Sequence, residues 1–341
     1  MSFLILNRGI AGPLRGRLGL MQKRMTSTEG WPEANVLFVT AFELTKELFE
    51  KRAVAEADLS ARYLVCDAAE VGPRYSDFKQ ASSENAPLST SAMERLKSHV
   101  DKRLTRMPVQ YILGNWDFYG LTLSCKEPVL IPRPETEELV ELLLKSKIIP
   151  ENGAILDVGA GTGAVGLAIL SQMSNVSCVA LDVNNIAVNL AITNACAVLG
   201  EAQARYACHL QDFESYAKQD SSQGGTFDVI VSNPPYIPGD EMLELSSEVK
   251  DYEDHRALHG GEDGMDLIKK IIQLGPPLLS VNGPGELWLE VARRHPAAIE
   301  EYVREYNSKL DARGDKRRKF VFIEGIKDLS NNPRFVRLRL Q

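Results

Sequence analysis

The chain has 341 residues, of which 44% are hydrophobic and 25% charged, and this ordinary globular composition argues against disorder of the whole chain. Lys and Arg number 39 and Asp and Glu number 46, which gives a formal charge of −7. Because the phosphates of nucleic acids attract basic proteins, we expect this acidic chain to bind nucleic acid poorly in general. Five scattered Cys residues without a C-x-x-C pair argue against a disulfide framework and a zinc site.

The first 28 residues differ in composition from the rest of the chain. They hold five basic residues and no acidic one, which leaves 34 basic and 46 acidic residues in the remainder. An apolar stretch at residues 3–6 precedes Arg8. This composition is typical of a mitochondrial transit peptide, so we expect residues 1–28 to be removed after import and the protein to reside in the mitochondrial matrix. An untargeted flexible tail is the alternative.

Residues 30–107 predict a small helical domain, because apolar residues recur at helical spacing. Three helices are expected, over about 36–49, 59–68 and 91–104. Pro87 and Ser89 mark the start of the last helix. The polar stretch 72–87 is expected to be a loop, and no residue of this domain has the pattern of a catalytic group.

Residues 108–134 change in character and predict a β-hairpin linker. Strand-like apolar pieces are separated by Gly114, Gly120 and Pro128, which indicate turns. The strand-like pieces cover residues 109–112, 118–123 and 129–131. The acidic stretch that follows Pro134 begins a helix, where the helix dipole favours negative charge.

Residues 135–341 predict an α/β domain with a doubly wound, mostly parallel sheet, because strands and helices alternate from residue 154 onward. Seven strands are expected, over 154–158, 178–183, 204–210, 227–232, 286–291, 320–324 and 335–340. Helices are expected over 164–173, 186–199, 265–279 and 296–306. The last two strands are separated by too few residues for a crossover helix, so they should pair antiparallel.

The first strand of this domain runs into Asp157 and then into the stretch Gly159-Ala160-Gly161-Thr162-Gly163. Glycines at alternate positions let the backbone turn sharply and approach a ligand at the start of the next helix. The second strand ends in Asp182, whose carboxylate suits the two hydroxyls of a ribose. The segment also fits the G-x-G-x-x-G fingerprint, so it leaves a nicotinamide or flavin enzyme and an S-adenosylmethionine enzyme equally open. Asp157 ahead of three alternating glycines favours S-adenosylmethionine.

The fourth strand leads into Asn233-Pro234-Pro235-Tyr236, and ligands of open α/β sheets bind beyond the carboxyl ends of strands. Asn233 offers a side-chain carbonyl acceptor, and the prolines lack N–H groups, so the stiff backbone presents carbonyl oxygens. Tyr236 adds a flat aromatic face. Two acceptors and a ring suit a planar NH₂ group, so we predict that Asn233, Pro234 and Tyr236 are the catalytic residues.

An amide or aromatic amine nitrogen is a weak nucleophile, because its lone pair is delocalised. Held by its two hydrogens, it can direct that lone pair at an electrophilic methyl group, which predicts catalysis by alignment and electrostatics without a His or Lys base. Two substrate classes fit, the side-chain amide of a protein glutamine and the exocyclic amine of a nucleic-acid base, and the acidic body disfavours the second. A catalytically silent binding factor and an NAD-dependent oxidoreductase are further alternatives.

Several blocks of this sequence recur together in one known family. The blocks are 108–114 (PVQYILG), 118–120 (FYG), 131–137 (IPRPETE), 157–163 (DVGAGTG), 233–236 (NPPY) and 257–266 (ALHGGEDGMD). Over roughly residues 90–340 the chain thereby resembles the HemK family of protein-(glutamine-N5) methyltransferases, which modify peptide chain release factors. The Asn-Pro-Pro-Tyr block is shared with DNA amino-methyltransferases, whereas the Arg-Pro-Glu-Thr-Glu block is far more specific. With its transit-like start, the chain resembles the mitochondrial branch.

The resemblance implies a class I S-adenosylmethionine-dependent methyltransferase domain of seven strands, preceded by a helical domain that helps to dock the release factor. It implies S-adenosyl-L-methionine as the cofactor and the glutamine of a Gly-Gly-Gln loop as the substrate. We therefore expect an enzyme that acts as a monomer on a protein, without a metal, a membrane or a direct nucleic-acid substrate.

The resemblance also assigns residues by position. The cofactor would be held by Gly159, Ala160, Gly161, Thr162, Gly163, Asp182, Phe213 and Asn233. The glutamine would contact Asn233, Pro234, Pro235 and Tyr236. The entrance would be lined by Arg133 and Glu135.

Three stretches depart from the family pattern or lie outside it. Many members have Glu-Pro where Glu253-Asp254 stands, and Glu-x-Gly-x-x-Gln where residues 290–295 (EVARRH) stand. These differences concern the substrate rim and not the methyl transfer. The basic run from Arg313 to Lys319 is either a contact for ribosomal RNA or a solvated loop.

Overall fold

The chain falls into two units, which meet in the sequence between Leu113 and Gly114. A computed structural model describes residues 27–220 and 226–341. Nearly all of the predicted transit peptide therefore lies outside the described residues. The division of the chain into targeting, docking and catalytic segments stays a prediction.

The first unit consists of helices whose apolar faces share a core. The helices are α1 (Phe38–Lys51), α2 (Ala57–Ala68), α3 (Tyr75–Glu84), α4 (Thr90–Leu104) and α5 (Val109–Leu113). Phe49 from α1, Leu64 from α2 and Met93 from α4 are fully buried. The hydroxyl of Ser89 accepts the backbone N–H of Ala92 and so caps the start of α4, as the sequence predicts.

Two predictions for this region are wrong. Residues 75–84 form α3 where the sequence predicts a loop. None of the side chains of α3 is buried, so no apolar periodicity marks it, and it packs through Phe78, whose ring centroid lies 4.9 Å from that of Phe42. Residues 109–113 form α5 where a strand is predicted, because the carbonyl of Pro108 accepts the N–H groups three and four residues further on and closes a helical turn.

The second unit begins with a two-stranded hairpin and a helix, namely β1 (Asn115–Phe118), β2 (Leu121–Ser124) and α6 (Pro134–Ser146). The strands of its main sheet are β3 (Ala154–Val158), β4 (Ser177–Asp182), β5 (Tyr206–Leu210), β6 (Val229–Ser232), β7 (Glu286–Glu290), β8 (Phe320–Lys327) and β9 (Pro333–Leu340). The helices are α7 (Ala164–Gln172), α8 (Asn185–Leu199), α9 (Phe213–Asp220), α10 (Ser247–Lys250), α11 (His255–Leu258), α12 (Asp266–Leu274) and α13 (His295–Ala312). Short 3₁₀ turns cover Gly200–Arg205, Glu241–Glu244 and Pro276–Leu278.

The main sheet has the strand order β5-β4-β3-β6-β7-β9-β8, which confirms the predicted doubly wound, mostly parallel architecture of seven strands. The first five strands in this order run parallel, whereas β9 pairs antiparallel with both β7 and β8. The chain order reverses at β3, which lies between β4 and β6. The carboxyl ends of β3 and β6 therefore flank the crevice where this kind of sheet binds ligands.

Both faces of the sheet are covered at its centre, and this explains why the central strands β3 and β6 are largely apolar and buried. Neighbouring residues of a strand point to opposite faces. In β3, Ile155 packs in one hydrophobic cluster and Leu156 in the other, and both are fully buried. In β7, Trp288 packs in the same cluster as Ile155, and Leu287 packs in the same cluster as Leu156.

Three local predictions for the second unit need correction. The mostly buried residues 129–131 form a loop and not a strand, because Pro128 and Pro132 on either side lack the N–H groups of a sheet ladder. The helix predicted over 265–279 ends at Leu274, before the prolines of the 3₁₀ turn. Helix α9 is missed by the sequence analysis. No helix in the described ranges is long and apolar enough to span a bilayer.

Candidate active site

The glycine stretch and the Asn-Pro-Pro-Tyr stretch lie side by side at the carboxyl edge of the sheet. β3 and β6 are parallel neighbours, and the hydroxyl of Ser232 at the end of β6 donates to the carbonyl of Val158 at the end of β3, at 2.5 Å. A Cβ added to Gly159 would lie 3.8 Å from the carbonyl oxygen of Asn233. The sheet therefore joins the two motifs into one site.

The backbone conformation explains the alternating glycines. Gly159, Gly161 and Gly163 have φ angles of 83°, 56° and 82°, a left-handed conformation that costs other residues about 1–2 kcal/mol. Gly159 and Gly161 line a cavity at this edge of the sheet, and Gly163 caps the start of α7. Ala160 and Thr162 are buried beside them. The structure thus brings two of the five predicted residues of this stretch to the cavity wall.

Asp182 ends β4 and lines the same cavity. Its carboxylate accepts the backbone N–H of Gly161 at 2.9 Å and that of Asn184 at 2.8 Å, and burial raises its pKa. Each carboxylate oxygen keeps a second lone-pair site. The group can therefore still accept hydrogen bonds from two ribose hydroxyls.

This first cavity has a volume of about 260 Å³ and fits the predicted cofactor in its chemistry. The residues after β5, namely Gln211, Asp212 and Phe213, line it together with the glycine stretch. Phe213 belongs to the apolar core and presents a hydrophobic wall to the cavity, which suits a planar base. Glycines for a close backbone approach, a carboxylate for a ribose and an apolar wall for adenine are thus all present.

Asn233 lies in the wall of this cavity and also in the wall of a second cavity, of about 270 Å³. Pro234 and Tyr236 line the second cavity, and Pro235 lines the first. Most of the other side chains around the second cavity are apolar, namely Leu130, Ile237, Leu245, Val249, Ala257 and Leu258. Leu130 and Ala257 also line both cavities, so the two cavities adjoin, and Asn233 is the polar residue among the three that they share.

A chain of hydrogen bonds runs behind Asn233. Its Nδ2 donates to the hydroxyl of Thr136 at 3.0 Å, and that hydroxyl donates to Oε2 of Glu290 at 2.7 Å. The hydroxyl of Tyr236 donates to Oε1 of Glu290 at 3.4 Å. Burial raises the pKa of Glu290 to about 7 and also raises that of Tyr236. Thr136 and Glu290 are 4% and 1% exposed, so the chain is closed to solvent.

Arg133 lines the second cavity and binds Glu253. Its Nη2 donates to the two carboxylate oxygens at 2.6 and 2.5 Å, and Glu253 is 4% exposed. Burial raises the pKa of Glu253, although the guanidinium acts in the opposite direction. Glu135 lies instead near Glu290 and Arg334, and its negative charge raises the pKa of both groups. The structure therefore brings Arg133, and not Glu135, to the cavity wall.

Asp254, which stands where the family pattern has Pro, lines the first cavity. Its Oδ2 accepts from Nδ2 of Asn184 at 2.8 Å and from Nη2 of Arg256 at 2.7 Å. Burial alone would raise the pKa of Asp254, but its bonds to Arg256 and Asn184 lower it. This departure from the pattern thus adds a charged, tightly bonded group beside the cavity.

The sequence analysis placed residues 253–254 and 290–295 at the substrate rim, but it assigned no role to Thr136, Glu253, Asp254 or Glu290. Thr136 and Glu290 are 154 positions apart, and no local pattern pairs residues at such separations. One signal was available. Glu290 is a charged residue at the end of a strand whose five residues are all buried, and a buried charge requires a partner.

Metal binding is not indicated at this site. Within residues 27–220 and 226–341, no group of three or more His, Cys, Asp and Glu side chains is arranged so that it could hold a metal ion. Nε2 of His255, one of the two histidines spaced four residues apart, lies 2.7 Å from the carbonyl oxygen of Lys250.

Comparison with protein-family models gives two matches. The family described as "PrmC N-terminal domain" matches residues 40–114, and the family described as "Methyltransferase small domain" matches residues 135–249. The first match falls on the helical unit. The second covers the glycine stretch, Asp182 and the Asn-Pro-Pro-Tyr stretch.

Curated relatives match over most of the chain. The human "MTRF1L release factor glutamine methyltransferase" is 36% identical over 333 residues, which cover 93% of this chain and 94% of the relative. A "Release factor glutamine methyltransferase" of Fusobacterium nucleatum is 30% identical over 86% of this chain and 77% of the relative. A solved SAM-dependent methyltransferase from Agrobacterium tumefaciens, 16% identical, gives a TM-score of 0.42 over 66% of this chain and 70% of that chain, too weak a likeness to support an argument.

Proposed function

This chain belongs to the family of release factor glutamine methyltransferases, the HemK family, and we propose that it methylates the side-chain amide nitrogen of the glutamine in the Gly-Gly-Gln loop of mitochondrial peptide chain release factors. Its cofactor is S-adenosyl-L-methionine. The position of Asn233 in the wall of both cavities carries the proposal, because a methyl group passes between two bound molecules only where their sites adjoin.

The first cavity is the proposed site of the cofactor. Asp182 accepts hydrogen bonds from the ribose hydroxyls, and the backbone of Gly159 and Gly161, which has no side chain in the way, approaches the methionine part of the molecule. Phe213 packs against the base. When bound, the cofactor supplies an electrophilic methyl group on a sulfonium sulfur.

The second cavity is the proposed site of the substrate glutamine. The side-chain oxygen of Asn233 and the carbonyl of Pro234 accept the two amide hydrogens, and the ring of Tyr236 stacks against the amide plane. Held in this way, the nitrogen lone pair points at the methyl carbon of the cofactor, so that alignment replaces general-base catalysis. The new N–C bond forms as the C–S bond breaks with its electron pair on sulfur, and one amide proton leaves to water. The two acceptors stabilise the positive charge that develops on nitrogen.

The proposed site of action is the mitochondrial matrix, and the proposed working form is a monomer. The first part rests on the basic, acid-free composition of residues 1–28, and the second on the fact that a single chain lines both cavities. Sequencing of the mature amino terminus from purified mitochondria tests the first, and sedimentation of the full chain tests the second.

Peptide mass spectrometry of a mitochondrial release factor, incubated with the full chain and S-adenosylmethionine, tests the proposed function. We expect one added methyl group, located by fragmentation on the Gly-Gly-Gln glutamine. A release factor with that glutamine replaced by alanine is the matched control and should stay unmodified. An unmodified release factor together with methylated adenine in a parallel DNA incubation would overturn the proposal in favour of a nucleic-acid amino-methyltransferase.

The basic run at residues 313–319 gives that alternative little support. Arg317 is paired with Asp315 at 2.6 Å, and Lys319 is paired with Asp311. Arg318 donates to two backbone carbonyls. The charges of this run are therefore partly used within the protein itself.

A further inference from the structure

The orientation of the Asn233 side chain decides whether the site can bind an NH₂ group at all. Its carboxamide has an oxygen that accepts and a nitrogen that only donates, and the two ends have nearly the same shape. With the oxygen toward the second cavity, the site accepts the hydrogens of a substrate amide. With the nitrogen there, two NH₂ groups would face each other without an acceptor between them.

We infer that Glu290 and Thr136 are positioning residues that fix the Asn233 carboxamide with its oxygen toward the substrate. The inference rests on the proposed function and deepens it. The two residues come from different elements, since Glu290 ends β7 and Thr136 lies in the first turn of α6.

The direction of the hydrogen bonds follows from the donors and acceptors available. Above its raised pKa of about 7, the ionised carboxylate of Glu290 has only acceptors, so the single hydroxyl hydrogen of Thr136 points to it, at an oxygen–oxygen distance of 2.7 Å. The lone pairs of the Thr136 oxygen then face Asn233 and can take only its N–H, at 3.0 Å. The carboxamide oxygen of Asn233 is therefore directed away from Thr136.

Burial makes this arrangement strict. Thr136 and Glu290 are almost completely shielded from solvent, so water has little access to replace a missing donor or acceptor. The other oxygen of Glu290 is bonded by the hydroxyl of Tyr236, at 3.4 Å. A reversed Asn233 would set its side-chain oxygen against the lone pairs of the Thr136 oxygen with no hydrogen between them, a penalty that a buried group such as Thr136 rarely tolerates.

Paired variants of Thr136 test this inference in the full chain with S-adenosylmethionine and a release factor. Thr136→Val keeps the shape and removes the hydroxyl, whereas Thr136→Ser keeps the hydroxyl and removes the methyl group. For Thr136→Val we expect kcat to fall by about tenfold or more, the ratio that corresponds to one lost hydrogen bond of ordinary strength. The dissociation constant of S-adenosylmethionine should stay unchanged, because Asp182 and the glycine stretch are intact. Thr136→Ser should restore most of the turnover.

A control for simple loss of stability is Thr45→Val. Thr45 is as deeply buried as Thr136, but its hydroxyl donates only to the carbonyl of Ala41 in its own helix. We expect this variant to keep the kcat of the unmodified chain even where thermal unfolding shows the same loss of Tm as Thr136→Val.

Glu290→Gln provides a second test if Thr136→Val does not fold. A glutamine amide can present either its oxygen or its nitrogen to Thr136, so both orientations of Asn233 become possible, and kcat should fall without a change in cofactor binding.

Equal turnover of Thr136→Val and the unmodified chain would overturn the inference, and so would a Thr136→Ser variant as impaired as Thr136→Val. If the unmodified chain itself adds no methyl group to the release factor, the proposed function fails, and the inference fails with it.

Discussion

The buried carboxyl of Glu290 predicts a specific dependence of stability on pH. Burial raises its pKa from an ordinary value of 4.5 to about 7, against the effect of its bonds to Thr136 and Tyr236. Between these two values the folded protein holds a proton that the unfolded chain releases. The protonated carboxyl of Glu290 therefore contributes fully to the free energy of unfolding below pH 4.5. This contribution is lost as the pH rises through 7. The difference between the folded and the unfolded pKa of Glu290 corresponds to about 3 kcal/mol of stability, since one pKa unit is worth about 1.4 kcal/mol.

The assay compares the unmodified chain with Glu290→Gln, whose neutral amide makes a contribution independent of pH. Urea unfolding is measured between about pH 5 and about pH 8 in a Trp31→Phe background, so that fluorescence reports the second unit through Trp116 and Trp288. Relative to the unmodified chain, Glu290→Gln should gain about 2.5 kcal/mol of stability over this range, slightly less than the full interval because the unfolded carboxyl is still partly protonated at about pH 5. The buried Asp157, whose pKa burial also raises to about 7, is present in both proteins and cancels.

Glu286, on the same strand, gives a control of opposite sign. Burial alone would raise its pKa, but hydrogen bonds from Arg337, Arg339 and Trp288 lower it. Its contribution to stability is therefore present above its unfolded pKa of 4.5 and is lost as the pH falls through the lower folded value, so Glu286→Gln should reveal it when the measurement is extended below pH 4.5. Parallel stability curves for the unmodified chain and Glu290→Gln across this range would refute the reasoning about Glu290.

Two further predictions concern the cofactor and the substrate rim. Asp182→Asn should weaken S-adenosylmethionine binding by about tenfold or more, because the new NH₂ group cannot accept hydrogen bonds from ribose hydroxyls or backbone N–H groups. Isothermal titration calorimetry measures this affinity, and an unchanged value would show that the ribose binds elsewhere. Arg133→Met should lower the free energy of urea unfolding by about 3 kcal/mol at about pH 8, because it leaves the charged carboxylate of Glu253 buried and unpaired. At about pH 5 the loss should be smaller, because protonation removes that buried charge. Adding Glu253→Gln should recover most of that loss, and no recovery would show that the ion pair is not the cause.

The sheet could be predicted from the sequence because its signals are local. The strands of a sheet covered on both faces are continuous apolar runs, and glycines or polar residues mark their ends. The rule that ligands bind beyond the carboxyl ends of parallel strands then brought Asp182, the glycine stretch and Asn233 to one edge. The structure places these residues around the first cavity.

The misread helices show where local signals mislead. Helix α3 has no buried side chain, so the apolar periodicity by which helices are recognised is missing. Helix α5 contains β-branched and aromatic residues that favour strands, but its five residues follow Pro108, whose carbonyl closes the first turn. In α3 the signal itself is absent, whereas in α5 a single cap outweighs intrinsic propensity.

The supporting side chains of the site could not be predicted in the same way. The bond between Thr136 and Glu290 joins residues 154 positions apart, and that between Arg133 and Glu253 joins residues 120 positions apart. Such contacts depend on how α6 and the loop before α11 pack against the sheet. The sequence shows which residue types are present, but only the fold shows which donor meets which acceptor.

The most direct test of Asn233 as the acceptor that aligns the substrate nitrogen is the single-turnover rate of methyl transfer, measured with saturating S-adenosylmethionine and release factor. For Asn233→Ala we predict a fall of about a hundredfold or more, because the lost oxygen lies where charge develops in the transition state. The dissociation constant of the cofactor should change by no more than about threefold, or about 0.7 kcal/mol, since Asp182 remains in place. A transfer rate for Asn233→Ala within about threefold of that of the unmodified chain would contradict the proposed role of Asn233.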